Sequence, residues 1–225
     1  MTFDGIFTAF WAQYRADASV PLSTDDEYTI GLRLANEAVN HWKTYEGTFW
    51  KELFTTLQES EGGAITTDIT QYDAPDDFAE AGGNIKVLNS SDKVIQTYPI
   101  IEPQDAQFKS DNATYAYFSG SPSEGYILNI NPAPTSTLNG KNIDYVYYKN
   151  PTEFATGSDI TEMSNPYFIV HRMLANRFRA SRNPYYNAAL RDAENALAKM
   201  KIDNDSGTWA NPFKLVDRSG SQWGA

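Results

Sequence analysis

Only two histidines occur in the chain, His41 and His171, each inside a stretch of helical periodicity. Neither has a second histidine or a carboxylate at the spacing that closes a zinc site, so no metal is expected there. Asp73, Asp76 and Asp77 surround Pro75, and two carboxylates so placed could act as general acid and base. A proline turn with exposed acids accounts for the same residues. Asp203-Asn204-Asp205-Ser206-Gly207 has the composition of a calcium loop, but its glycine is misplaced and Lys214 stands where the bidentate glutamate belongs. The chain has no Gly-x-Ser-x-Gly elbow, no Walker loop and no dinucleotide fingerprint. It also lacks cysteine, which excludes thiolate metal sites and a disulfide framework. The expectation is a protein with no catalytic residue, no metal and no cofactor.

The most suggestive polar group is basic. Arg172, Arg177, Arg179 and Arg182 cluster across one helical segment and its exit. Cations near a helix C-terminus complement the helix dipole, and the same residues could form a docking surface for an acidic partner. Charge is distributed unevenly around them. Residues 1–159 hold 9 basic and 23 acidic residues, residues 160–202 hold 7 and 3, and residues 203–225 hold 2 and 3. An acidic body repels phosphates and disfavours groove binding to nucleic acid, while leaving DNA free to pass along it without sticking. Trp209, Phe213 and Trp223 stand in an otherwise polar C-terminal stretch and are candidate docking anchors.

Periodicity supplies the elements that carry these residues. Phe3, Phe7, Phe10, Trp11 and Tyr14 share one helical face, and the stretch 17–21 ends that segment. Thr24-x-x-Glu27 predicts a capping box ahead of a second stripe, Tyr28, Leu32, Ala35, Val39 and Trp42. A third helical piece is expected over Phe49, Trp50, Leu53, Phe54 and Leu57. After Gly62-Gly63 the period changes to short β-like runs at 84–88, 93–98, 114–118, 126–130 and 143–148. Helices are expected again at about 160–181, with Met163, Tyr167, Val170, Leu174 and Phe178 on one face, and at 184–202 after Asn183-Pro184. The expected fold class is α+β: N-terminal helices (1–60), a small antiparallel β-sheet or sandwich (61–150), a C-terminal helical hairpin packing with the N-terminal helices (151–202) and an extended tail (203–225). No apolar run is long enough to span a membrane, and the first residues lack the pattern of a signal peptide.

This order of parts resembles the head-to-tail connector (adaptor) proteins of tailed bacteriophages, of the tail tubular protein A type. The resemblance runs over most of residues 25–202. It is carried by the helices ending near Trp42 to Leu57 and by Tyr72-Asp73-Ala74-Pro75-Asp76-Asp77-Phe78, which looks like the turn that opens the family's β-region. Asn129-Ile130-Asn131-Pro132-Ala133-Pro134 ahead of the strand Tyr145–Pro151, and Met163-Ser164-Asn165-Pro166-Tyr167-Phe168 leading into paired helices, complete it. The resemblance implies a virion structural protein, made in the host cytoplasm, that forms a homo-oligomeric ring, commonly a dodecamer, beneath the portal protein. Such a ring extends the DNA channel, through which DNA passes without specific binding, and offers a platform to the next tail or neck protein. Two other readings remain open at this level. Tyr115, Tyr117 and Tyr126 suggest a carbohydrate- or receptor-binding module, and Asp76 with Asp77 a hydrolase.

Overall fold

Thr2 opens the first helix, its hydroxyl accepting the amide of Gly5 at 3.3 Å. The computed structural model describes residues 1–15, 19–57 and 63–206. They form an α+β fold divided into two units. A helical unit comprises Met1–Glu52 with Pro151–Ala225, and a β unit comprises Leu53–Asn150.

The helical unit contains α1 (Phe3–Tyr14), α2 (Asp26–Lys43), α3 (Tyr167–Ala180) and α4 (Tyr186–Ser206). In α1 the expected stripe is buried, with Phe3, Ile6, Phe7, Phe10 and Trp11 all inside. Phe3 and Phe7 meet Tyr28 of α2 edge-on at ring distances of 5.1 and 5.0 Å, a favoured aromatic geometry. A Cβ at Gly31 of α2 would overlap the buried ring of Phe7, so glycine is what lets α1 approach α2 this closely. The free amides at the start of α1 are met by a later loop, with Phe3 donating to the carbonyl of Asp159 at 2.9 Å and Asp4 to that of Gly157 at 3.0 Å. That loop is held by its own acid, because the Asp159 carboxylate accepts the amides of Ala155 and Thr156 at 2.7 and 2.6 Å.

Three local expectations change. The capping box does not form: Asp25 is the N-cap of α2 and its carboxylate accepts the amide of Leu22, while Glu27 is engaged by Arg177. A charge-assisted bidentate pair outcompetes a neutral backbone amide. The third helix is absent. Glu46 (φ 49°) and Gly47 (φ 62°) turn left-handed after α2, and only short 3-10 turns follow at Tyr45–Gly47 and Lys51–Leu53. The helix expected from about 160 starts at Tyr167 instead. Pro166 disfavours helical geometry in the residue before it, and the buried seam moves to Phe168, Ile169, Val170, Met173, Leu174 and Ala175, leaving Tyr167 exposed.

Among its described residues the β unit has nine short strands in three antiparallel three-stranded sheets. These are β1 (Phe54–Thr56), β2 (Gln71–Asp73), β3 (Phe78–Ala81), β4 (Ile85–Leu88), β5 (Val94–Tyr98), β6 (Tyr115–Ser121), β7 (Gly125–Asn131), β8 (Asn142–Asp144) and β9 (Val146–Lys149). The sheet orders are β1-β9-β3, β2-β7-β6 and β5-β4-β8. The run expected as one strand at 143–148 is therefore two, in different sheets, separated at the buried Tyr145. Both expected hairpins form. Their tight turns use left-handed residues, Asp92 (φ 55°) after Asn89 and Gly125 (φ 84°) after Glu124. One core serves all three sheets, built from residues such as Phe78, Ile85, Val87, Tyr98, Leu128, Ile143 and Tyr147.

Two stability experiments probe the α1–α2 contact. Alanine normally favours a helix over glycine by about 1 kcal/mol, but overpacking costs about 1–3 kcal/mol. Gly31→Ala should therefore lower the unfolding free energy in urea by about 1–2 kcal/mol. The second probe is alkaline pH. Tyr28 donates to the Asp4 carboxylate at 2.6 Å; burial, with this hydrogen bond, pushes its hydroxyl from 10 up to about 12. A raised folded pKa stabilises fully below pH 10 and is lost as pH climbs toward 12. Relative to Tyr28→Phe, the native chain should lose about 1–2 kcal/mol across that window in parallel melts, less than the full linkage value because solvent screens the part-buried hydroxyl.

Candidate docking surface

The expected arginines lie along α3 and just past its C-terminal end, and their surroundings differ. Arg177 reaches back to α2, where its Nη2 donates to both oxygens of Glu27 at 2.7 and 2.6 Å. Its guanidinium also lies 5.5 Å from the centre of the Tyr14 ring. Arg172 is half-buried and bears electrostatically on His41, whose imidazole stacks against Phe168 at 6.1 Å. Burial lowers the His41 pKa and the Arg172 charge lowers it further. Arg179 and Arg182 are exposed, and among the described residues neither side chain has an ion-pair partner.

Arg182 has a second constraint. It sits at φ 53° just past α3, where its amide donates to the carbonyl of Arg179 and the amide of Asn183 donates to that of Phe178. These two bonds make a Schellman stop, which glycine usually fills. Asn183 then starts the next helix, its side chain accepting the amide of Tyr185 at 2.9 Å. The tight link points Tyr185 outward at 68% exposure. A chain of rings runs inward from it, Tyr185 to Phe178 at 6.5 Å, Phe178 to Tyr14 at 6.1 Å and Tyr14 to Phe10 at 5.6 Å. Nothing in the sequence marks Tyr185 as exposed, because the direction of its ring depends on the turn.

The far end of α4 is tied to the segment after α2. Asn204 accepts the amide of Lys51 at 2.8 Å and donates to the carbonyl of Phe49 at 3.0 Å. Lys201 pairs with Glu46. Trp209, Phe213 and Trp223 lie outside the described residues.

In the β unit, the Pro75 turn is closed by the amide of Phe78 donating to the Pro75 carbonyl at 2.9 Å, and Asp77 accepts the Tyr147 hydroxyl at 2.9 Å. The three tyrosines proposed as a platform do not converge. Tyr115 and Tyr117 lie on one face of β6, while Tyr126 packs against Phe78 on the core side. Beside Tyr117, the Asn129 amide is already occupied by Gln71, Ser119 and the Ile127 carbonyl. No group of three or more metal-ligating side chains occurs among the described residues, and none of their helices is long and apolar enough to cross a membrane.

The division of the arginines is testable by stability alone. A bidentate, ring-stacked pair at this partial exposure is worth about 1–2 kcal/mol, so Arg177→Ala should lose about that much in chemical denaturation. Arg179→Ala should leave the midpoint unchanged. Arg182→Gly should gain up to about 1 kcal/mol by relieving left-handed strain.

No curated protein matches the chain. A family model described as SU10 adaptor protein matches residues 1–215, reaching beyond 25–202 on both sides and taking in both units. The chain therefore belongs to the SU10 adaptor protein family, a family of phage adaptors.

Proposed function

We propose that the protein is the head-to-tail adaptor of a phage particle: a ring of identical copies that docks on the portal, continues the DNA channel and presents a platform to the next neck or tail component. Family membership across residues 1–215 is the observation that carries this reading. The charge distribution supports it. The β unit holds 5 basic and 13 acidic residues, against 13 and 16 in the helical unit. An acidic wall lets DNA slide because it offers phosphates no counter-charge to displace. Docking would use the helical unit together with Trp209, Phe213 and Trp223, with aromatic burial supplying affinity. Arg172 and Arg177 would hold the helical unit in shape. Arg179 and Arg182 would set partner choice and register through charge.

Negative-stain imaging of the purified chain, with and without the cognate portal protein, tests the reading. The expected outcome is a ring of added density on the portal. A chain that stays monomeric and leaves the portal bare would refute it; monomers in isolation alone would not, because such a ring can require its template to close.

A further inference from the structure

Two exposed surfaces of the chain have complementary charge and matching aromatic anchors. The first is a six-residue 3-10 turn, Pro103–Phe108, in the β unit. It buries none of its own residues, and Phe108 stands 80% exposed at its end. Asp105 lies within it, Glu102 and Asp111 flank it, and Lys109 follows Phe108, so acids outnumber the cation. Glu80 lies close enough to Glu102 that repulsion, added to burial, raises the Glu80 pKa. None of these four acids has a cationic partner among the described residues. A lone exposed phenylalanine is ordinary on a protein surface; here it stands beside acids without ion-pair partners, which gives the patch both an apolar anchor and a charge for a partner to match.

The turn is nonetheless firmly mounted. Ala116 of β6 donates to the carbonyl of Pro99 at 2.8 Å and accepts the amide of Ile101 at 2.9 Å. The amide of Asp105 donates to the carbonyl of Glu102, that of Lys109 to Ala106, and the Gln107 side chain to Gln104. The projection is therefore pre-formed, and docking it would order little new structure.

The second surface is the α3–α4 turn, where exposed Tyr185 stands beside Arg179 and Arg182. It is equally well mounted, fixed by the Schellman stop at Arg182 and by the Asn183 side chain, which accepts the amide of Tyr185. Tyrosine and arginine together are the composition of interface hot spots, and an arginine can lie on a phenylalanine face while meeting a carboxylate.

We propose that these surfaces bind each other between copies: the Phe108 projection of one chain seats on the Tyr185–Arg179–Arg182 turn of a second copy. Phe108 packs against the Tyr185 ring, and Glu102 and Asp105 neutralise the two arginines. Because the surfaces differ, the contact is heterologous, and repetition closes a ring or grows a filament. The inference rests on the adaptor reading for the requirement that copies associate, and adds which surfaces do so.

The absence of cysteine permits a direct test. Gln104→Cys and Asn187→Cys introduce single thiols at exposed positions beside, not within, the two anchors. Equal amounts of the two full-length variants are mixed at low salt and treated with a short bismaleimide. The expected product is a mixed dimer joining one variant to the other, with little linkage within either variant alone. Placing Arg182→Glu in the Asn187→Cys chain should cut the yield about tenfold, and Asp105→Arg in the partner variant should restore it. Circular dichroism of each variant confirms that the fold survives. Linkage of Asn187→Cys with itself, or a yield indifferent to the reversals, overturns the proposal. So does failure to link both in the free mixture and in the same mixture assembled on the portal protein. Decoration of the portal by the native chain without this cross-link would leave the adaptor reading intact and sink only the pairing, with acidic portal surface as the remaining partner of the arginines.

Discussion

The helical unit is built from two stretches of chain, Met1–Glu52 and the part after Pro151, separated by the whole β unit. Bringing such distant stretches together costs on the order of 4 kcal/mol by logarithmic loop closure, before any side chain is ordered. The contact that offsets this cost is the seating of α1. Its apolar face packs on α2 through Gly31 and against α3, while its first amides bind the carbonyls of Gly157 and Asp159. Phe3 touches Tyr28 on one side and Phe154 on the other. One short helix thus joins the early chain to the late chain, and fully buried aromatics at about 1.5–3 kcal/mol each exceed the closure cost.

Glu27 and Arg177 repeat the theme with charge. Glu27 belongs to the first turn of α2, where an acid suits the helix dipole, and Arg177 to the last turn of α3, where a cation does. Their pairing leaves each charge at the helix end that favours it and crosses the two stretches of chain in one contact. One of the four clustered arginines is thereby engaged within the fold. Arg182 differs: its backbone serves the fold by stopping α3, but its side chain is left in solvent. Any of several residue types could have stopped the helix at less strain, glycine best of all. An arginine held at φ 53° carries backbone strain there that a glycine would not.

The helical stripes were legible in the sequence because each is a local pattern. Phe3 to Trp11, Tyr28 to Trp42 and the run after Asn183-Pro184 fold where their period puts them. The larger hairpins were legible too, through Asn89–Asp92 and the Ser-Gly-rich turn before Tyr126. What was not legible depends on distant partners. β1, β2 and β3 have three or four residues each and become strands only by pairing with β9 or β7. Phe49 to Leu57 has the apolar density of a helix, yet Gly47 breaks the start and β9 claims Phe54–Thr56. The capping box failed for the same reason, since nothing local tells that Arg177 will arrive at Glu27.

The candidate surface was half legible on similar grounds. Composition pointed to the arginines but could not divide them, because a side chain's freedom depends on what lies across from it. Phe108 and Tyr185 were invisible as a pair, since a lone aromatic in a polar stretch has the same spacing whether it folds inward or out. Their exposure follows from two turns: the 3-10 segment that starts at Pro103 and the Schellman stop at Arg182. Each turn is satisfied by its own backbone bonds and needs no help from the aromatic it carries. Removing either ring should therefore leave the turn standing, and that independence is what distinguishes a side chain held out for a partner from one the fold itself requires.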